Sequence, residues 1–295
     1  MSALRAVSAA ALLAALALPA RAAEVLLLRS GEGPQYDEAI TGFLAELGAP
    51  VTEMVVDEST TLSAVATRAA GEGARVVAAV GARAAAVSVG ARLPVVTFMV
   101  LQESAVPAGP GVVGVTLAPS AAALLETVLK VAPRSKRVGV LFDSKHNEAE
   151  AALLDAAARE RGLTLVATRV SDARSAVSAL DSLQTDALVL IPDATVVSKA
   201  FLQVLVARSF ERQLPVVCYS ESFVKLGLLA ALAPSYAGNG RAAAAAVKRA
   251  LAGSARGGTT GGPTVLVVNS GSARRLGLTL PPALLRPPTV VVGGS

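Results

Sequence analysis

Runs of five to seven apolar residues recur along the chain, separated by Ala-rich stretches in which apolar side chains return at helical spacing. An uninterrupted apolar run is the mark of a parallel strand buried on both faces, because neither row of side chains meets water. Strands are expected over Glu24 to Leu28, Val51 to Val56, Arg75 to Val80, Pro94 to Val100, Val112 to Thr116, Arg137 to Phe142, Leu163 to Val170, Ala187 to Ile191, Pro215 to Cys218, Leu228 to Ala233 and Thr264 to Val268. Helices are expected over Tyr36 to Leu47, Leu62 to Ala70, Ala82 to Val89, Ser120 to Val131, Asn147 to Arg161, Ala173 to Leu183, Thr195 to Glu211 and Gly240 to Leu251. Alternation this regular predicts an α/β protein built on doubly wound parallel sheets.

The tetrapeptide Leu-Pro-Val-Val occurs twice, at Leu93 to Val96 and at Leu214 to Val217, each time after a βα run and before small polar residues. Matching strands of two Rossmann-like lobes would account for both copies, with the strand ends facing across a cleft. Pro107 to Gly111 is a cluster of turn formers, and Pro119-Ser120 reads as a helix start, which puts a first crossover near Leu117. The Gly-rich stretch Gly253 to Pro263 reads either as a second crossing, making the hinge multi-stranded, or as a surface loop. The expected division is a first lobe of residues 23–116 plus 236–263 and a second of 117–235 plus 264–295.

The first 22 residues carry a lone basic Arg5, an apolar run from Ala9 to Leu18, Pro19, and the small-x-small tripeptide Ala20-Arg21-Ala22. That is the pattern of a cleaved secretory signal, and the apolar run is shorter than the ~20 residues needed to cross a bilayer. Its removal leaves 273 residues, room for two lobes of roughly 130 with separate cores. At 53% hydrophobic and 17% charged the chain is a packed globule. The net charge of +5 falls to +3 without Arg5 and Arg21, and with 3% aromatics there is no basic, aromatic-lined track for nucleic acid. One cysteine, Cys218, excludes an intrachain disulfide and a Cys-based zinc site, and its strand context reads as a buried apolar position.

In doubly wound sheets a ligand sits beyond the carboxyl ends of the strands, so the residues following each strand are the ones to inspect. They are Ser30 to Tyr36, including Gln35; Gly81; Leu101 to Ser104, including Gln102; Asp143-Ser144 after Phe142; Asp193-Ala-Thr195; and Tyr219 to Ser222, including Ser220. Tyr236 stands at the expected lobe boundary. Asp193 and Thr195 read first as caps of a helix, the commoner role for such residues, and an uncapped N-terminus there would also favour an anionic end of a ligand. Gly31-Glu-Gly33 is no dinucleotide fingerprint, since Tyr36 occupies the third glycine's place. Catalysis has little to draw on: the sole histidine, His146, reads as exposed at a helix start, no G-x-S-x-G elbow exists, and Asp57-Glu58 and Glu148/Glu150 read as solvated. No metal site or cofactor is expected.

Beyond these features the chain resembles the ABC transporter substrate-binding proteins with the type I periplasmic fold, a group that includes binders of aromatic amino acids. The likeness is carried by Val76-Val-Ala-Ala-Val-Gly-Ala82, Leu93-Pro-Val-Val-Thr-Phe98, Arg137-Val-Gly-Val-Leu-Phe-Asp143 with Asn147, and Ile191-Pro-Asp-Ala-Thr-Val-Val-Ser198. Leu214 to Val217, Val267-Val-Asn269, Ala273, Leu276-Gly277-Leu278 and Pro281 extend it, most strongly between Gly114 and Pro281. The chain departs from the family at Met99 to Ser104, where an Asp-Pro element is usual, and at Asp193-Ala194-Thr195, where Asp-Asn-Thr is usual. Phe142 stands where Tyr is frequent.

The resemblance implies a periplasmic, monomeric, non-enzymatic solute-binding protein that closes on a small amino acid-like ligand and presents it to an inner-membrane ABC permease. It places Gly81, Phe142, Asp143, Asp193, Thr195, Ser220 and Tyr236 at or near the site; of these, Thr195 with the adjacent helix N-terminus is expected to take an anionic end of the ligand, and Phe142 and Tyr236 an apolar body. The rival expectations are a sensory or orphan binding module without a permease, and an exported α/β hydrolase or transferase.

Overall fold

The computed structural model describes residues 24–293, so the expected signal segment Met1 to Ala22 lies outside the described residues. The chain opens with β1 (Val25–Arg29), α1 (Pro34–Leu47), β2 (Val51–Val55), α2 (Leu62–Glu72), β3 (Val76–Val80), α3 (Ala82–Ser88), β4 (Val95–Val100) and β5 (Val112–Thr116). It continues with α4 (Ala121–Val131), β6 (Arg137–Asp143), α5 (Ser144–Glu160), β7 (Thr164–Val170), α6 (Ala173–Ser182), β8 (Ala187–Val189), α7 (Lys199–Glu211), β9 (Val216–Cys218), α8 (Glu221–Leu226) and β10 (Ala230–Pro234). Last come α9 (Tyr236–Leu251), β11 (Gly258–Gly261), β12 (Thr264–Asn269), α10 (Ser270–Arg275) and β13 (Val290–Val292).

Two sheets result. The first runs β11-β5-β4-β3-β1-β2 and the second β13-β12-β10-β9-β8-β6-β7. Stripped of their additions, both have the same winding: β2-β1-β3-β4-β5 corresponds strand for strand to β7-β6-β8-β9-β10. The two Leu-Pro-Val-Val segments lead into β4 and β9, which hold equivalent places in that order. Pairing is parallel within the wound portions, and β12 runs antiparallel to β10.

Each strand's continuous apolar run is explained by helices on both faces of its sheet. In the first, Val96 and Phe98 of β4 face α1 and α9, while Val95 packs with the α2 and α3 side. In the second, Val138, Val140 and Phe142 of β6 pack with α4 and α5, and Leu141 packs on the opposite face with α6 and α7. Side chains alternate across a strand, so every residue of such a segment must be apolar for both layers to close.

Helices α1 and α9 approach closely because each presents a glycine at the contact. A Cβ on Gly42 would stand 2.4 Å from the carbonyl oxygen of Ala237, and one on Gly240 would stand 1.9 Å from that of Ala39. Below them Phe43 stacks on Phe98 with ring centroids 5.1 Å apart. Lys248 pairs with Glu46 at 2.8 Å on the exposed flank. Thus α9, which follows β10 of the second sheet, covers the first sheet.

Among the described residues the chain passes between the sheets at β5 to α4, at β10 to α9, and at β11 to β12. The passages are tied side by side: Ser235 N–H donates to Pro263 O at 2.9 Å, and Gly262 N–H donates to Thr116 O at 2.8 Å. Asn239, buried in the first turn of α9, locks the same place. The register of β4 against β5 slips between Phe98 and Val100, with Met99 at φ 56°, so the Met99 N–H leaves the ladder. The Asn239 side-chain oxygen accepts that N–H at 2.9 Å, while its amide donates to Val115 O and Thr116 O at 3.3 and 3.1 Å.

Several elements differ from the sequence expectation. Helix α7 begins at Lys199, capped by Ser198, rather than at Thr195, because Asp193 to Val197 forms a separate turn held by the Asp193 carboxylate. Helix α9 begins four residues before Gly240, where the Ser235 hydroxyl caps Gly238 N–H at 3.2 Å. Residues 258–261, Gly-Thr-Thr-Gly, form a parallel strand on β5 although they contain no apolar side chain. The short α8, α10 and β13 carry too few residues for a periodic pattern and were not expected.

Candidate functional site

The carboxyl ends of the two sheets meet at Gln102, which follows β4. Its side-chain amide donates to Asn147 Oδ1 at 2.7 Å and to the Pro192 carbonyl at 2.8 Å, so one residue beyond the first sheet grips two segments of the second. Asn147 is able to receive it because the backbone leaves helical geometry there (φ −127°, ψ 21°), which breaks the first turn of α5 and turns the amide inward. Asn147 Nδ2 in turn donates to Asp193 Oδ2 at 2.7 Å.

Asp193 is the centre of the network. Oδ2 also accepts the Asp143 N–H at 2.7 Å, and Oδ1 accepts the N–H groups of Thr195 and Val196 at 2.9 and 3.1 Å. The Thr195 hydroxyl donates to Asp143 Oδ2 at 2.9 Å, and Lys145 N–H donates to Asp143 Oδ1 at 2.9 Å. Asp143, Asn147 and Asp193 are all buried, and a buried carboxylate persists as an ion only when its lone pairs are met in this way. The Lys145 backbone N–H, followed by the Thr195 hydroxyl, holds the Asp143 carboxyl below the usual aspartate range.

This arrangement brings together Gln102, Asp143, Asp193 and Thr195 of the residues expected at the site. Thr195 does not head a helix, and its hydroxyl and N–H are both engaged with carboxylates, so it offers no helix N-terminus to an anion. Phe142 is 1% exposed: its ring lies in the core between α4 and α5, with the Arg169 guanidinium 5.7 Å from its centroid. It therefore presents no face to the cleft in this conformation, the reason being that strand alternation sends Phe142 into the α4/α5 layer.

Ser220 and Tyr236 lie together elsewhere on the seam, in a cavity of about 300 Å³ lined also by Leu101, Leu117 and Tyr219. Tyr219 meets Phe223 edge to face at 5.5 Å, and burial pushes its hydroxyl up to about 12. A third group forms beyond β1 and β3. The Ser30 hydroxyl donates to Val80 O and accepts Ala84 N–H, both at 3.0 Å, and Gly81 adopts φ 90° against Ser30 and Tyr36. A Cβ on Gly81 would stand 2.8 Å from Ser30 Oγ, so glycine is required by both the dihedral and the space. Gln35 is exposed on the first turn of α1 and joins none of these groups.

Asn147 and Asn239 are the polar residues that sequence reasoning passed over as site components; each is a buried amide inside a helical pattern, and burial was the missing signal. Cys218 is fully buried and its thiol is pushed up to about 12, with Ala230 O 3.4 Å from Sγ. His146 is exposed in the first turn of α5. Glu148 pairs with Arg169, whereas Glu150, expected in solvent, is half-buried on the wall of a second cavity. Among the described residues no group of three or more His, Cys, Asp or Glu could hold a metal ion, and no helix is long and apolar enough to cross a membrane.

Comparison with known proteins agrees with the fold. No curated protein matches the chain. Among solved structures, the ABC domain in complex with L-Trp from Streptococcus pneumoniae aligns with a TM-score of 0.58 at 21% identity, covering 91% of this chain and 99% of that one. The ligand-free, open substrate-binding protein with adhesive properties from Clostridium difficile aligns with a TM-score of 0.71 at 19% identity, covering 92% and 99%. A solute-binding protein from R. palustris in complex with 4-hydroxybenzoate aligns with a TM-score of 0.53 at 12% identity, covering 78% and 81%. At these identities the likeness is one of fold, a two-sheet arrangement of the type I periplasmic binding kind. The model of the family described as ABC transporter substrate binding protein matches residues 53–292, and the chain belongs to that family.

Proposed function

We propose that this protein is the periplasmic solute-binding component of an ABC importer, taking a small amino acid-like ligand between two lobes and delivering it, as a monomer and without catalysis, to an inner-membrane permease. The lobes are residues 23–116 plus 236–263 and residues 117–235 plus 264–295. The observation that carries this reading is the meeting of the two sheets' carboxyl ends through Gln102, Asn147 and Pro192, a contact that two separately wound bodies can make or break. Ligand contacts contributed from both sides exist together only when the bodies are apposed, so binding energy shifts the population toward closure.

The ligand-facing residues of this reading are Ser220 and Tyr236 in the smaller cavity, which Leu101, Leu117 and Tyr219 also line, while Gln102 and the Asp143–Asp193–Thr195 network hold the seam. Tyr219 and Tyr236 favour a ligand with a flat apolar part. The bound molecules of the Streptococcus pneumoniae and R. palustris proteins, L-Trp and 4-hydroxybenzoate, are in keeping with that choice. Native mass spectrometry of protein purified without denaturation, looking for a retained molecule, followed by a thermal-shift screen of amino acids and aromatic acids, tests it. A hit should be weakened by Tyr236→Ala and Ser220→Ala; a ligand indifferent to both changes would remove these residues from the site.

A further inference from the structure

The larger cavity on the seam, of about 440 Å³, shares no lining residue with the smaller one that holds Ser220 and Tyr236. Its size is within the ~300–1,000 Å³ of small-molecule sites. The first sheet's side contributes Gln102, Glu103, Thr116 and Thr259, and the second sheet's side contributes the start of α4, the middle of α5 and Ile191-Pro192. The inner surface is apolar: Leu124, Leu154 and Ile191 come from the core edge, and Leu153 turns toward the cavity while remaining 54% exposed. An isolated exposed leucine needs no explanation, but one completing an apolar concavity supplies contact surface.

The charges of this cavity all have one sign. Glu103, Glu150 and Glu160 line it, and no Lys, Arg or His does, in a chain whose net charge is +5. Glu160 lies 3.5 Å from Arg161, whereas the carboxylates of Glu103 and Glu150 have no ion-pair or hydrogen-bond partner among the described residues. Glu103 follows β4 of the first sheet and Glu150 belongs to α5 of the second, so they approach the space from opposite sides of the seam.

We infer that this cavity is a second binding site, for an organic cation: a protonated amine on a hydrocarbon body, without a carboxylate of its own. The ammonium would lie between the exposed Glu103 and the half-buried Glu150, drawn by their charge, and the body would cover Leu124, Leu153, Leu154 and Ile191. An anion of the same shape is repelled, and a neutral molecule gains only the apolar contacts. Because the two carboxylates belong to different lobes of the proposed reading, an amine held by both favours the apposed state and raises affinity at the other cavity.

Calorimetric titration of the full chain with 2-phenylethylamine, phenylacetate and 2-phenylethanol tests the site. The amine should bind at least about tenfold more tightly than either counterpart, and the double variant Glu103→Gln, Glu150→Gln should weaken it about tenfold. Tyr236→Ala should leave amine binding unchanged, whereas it weakens the solute of the smaller cavity, so the two sites fail separately. No saturation by amine at about 10 mM, equal binding of phenylacetate, or loss in Tyr236→Ala with retention in the double glutamine variant would each overturn the assignment.

Discussion

Gln102 and Asn147 are joined by a 2.7 Å hydrogen bond that crosses from one sheet's carboxyl edge to the other's. Both amide protons of Gln102 are used, the second on the Pro192 carbonyl, so a single side chain ties the exit of β4 to the first turn of α5 and to the segment after β8.

Gln102→Ala removes both bonds while leaving the cores untouched. At about 0.5–1.5 kcal/mol per bond, the apposed arrangement should lose about 1–3 kcal/mol relative to a separated one. Small-angle scattering of the ligand-free variant should give a larger radius of gyration than the parent protein, with little change in far-UV circular dichroism. Identical scattering curves would deny Gln102 this part.

Thr195→Val deletes a hydroxyl donor to Asp143 at nearly constant volume. Since the folded Asp143 carboxyl titrates below its unfolded value, its contribution to stability is complete above the ordinary aspartate range and is lost as pH falls through the lowered folded value. The variant should therefore be less stable than the parent at neutral pH, and the difference should shrink as acid protonates Asp143. Paired urea titrations from neutral to acid pH check it, and a gap that widens in acid would contradict the sign.

Gly240→Ala places a methyl group where the Ala39 carbonyl oxygen would be 1.9 Å away. The neighbour is helix backbone and cannot swing aside, so α1 and α9 must separate and loosen the Phe43–Phe98 layer beneath. Destabilisation of about 1–3 kcal/mol or more is expected, against the slight gain that alanine brings to an open helix position. Chemical denaturation measures the difference.

Cys218 should be silent toward thiol reagents in the folded protein. Its thiol is fully buried and pushed up to about 12, so essentially no thiolate exists at neutral pH. Titration with a chromogenic disulfide should give no reaction in buffer and one equivalent in concentrated denaturant. Rapid reaction in buffer would mean that β9 opens.

The layered fold was legible because burial on both faces leaves a direct trace in sequence. Val76 to Val80 and Val95 to Val100 are apolar at nearly every position, as a covered parallel strand requires. Gly258 to Gly261 left no such trace, since that strand is held by backbone pairing with β5 and not by its side chains. The start of α7 was misplaced for a related reason: Asp193 and Thr195 have the chemistry of caps, but their partners are Asp143 and Asn147, some fifty residues away, at distances only the assembled sheet creates. Phe142 was correctly placed at a strand end, yet which face it served depended on the register of β6. Glu150 shows the same limit, as an ordinary helix glutamate becomes a cavity wall only once β4 delivers Glu103 opposite it.

The late position of α9 has a consequence for biogenesis. Strands β1 to β5 of the first sheet emerge early in synthesis, but α9, which with α1 covers Val96, Phe98 and Val115, is made only after everything from α4 to β10. The part of that face beside α1 therefore waits uncovered while the second sheet is translated, an apolar strip exposed to solvent and to any holdase able to grip it. Chain release before Leu251 would leave the wound left open, so nascent fragments ending within α9 should be far more prone to aggregate than those extended a few residues past it.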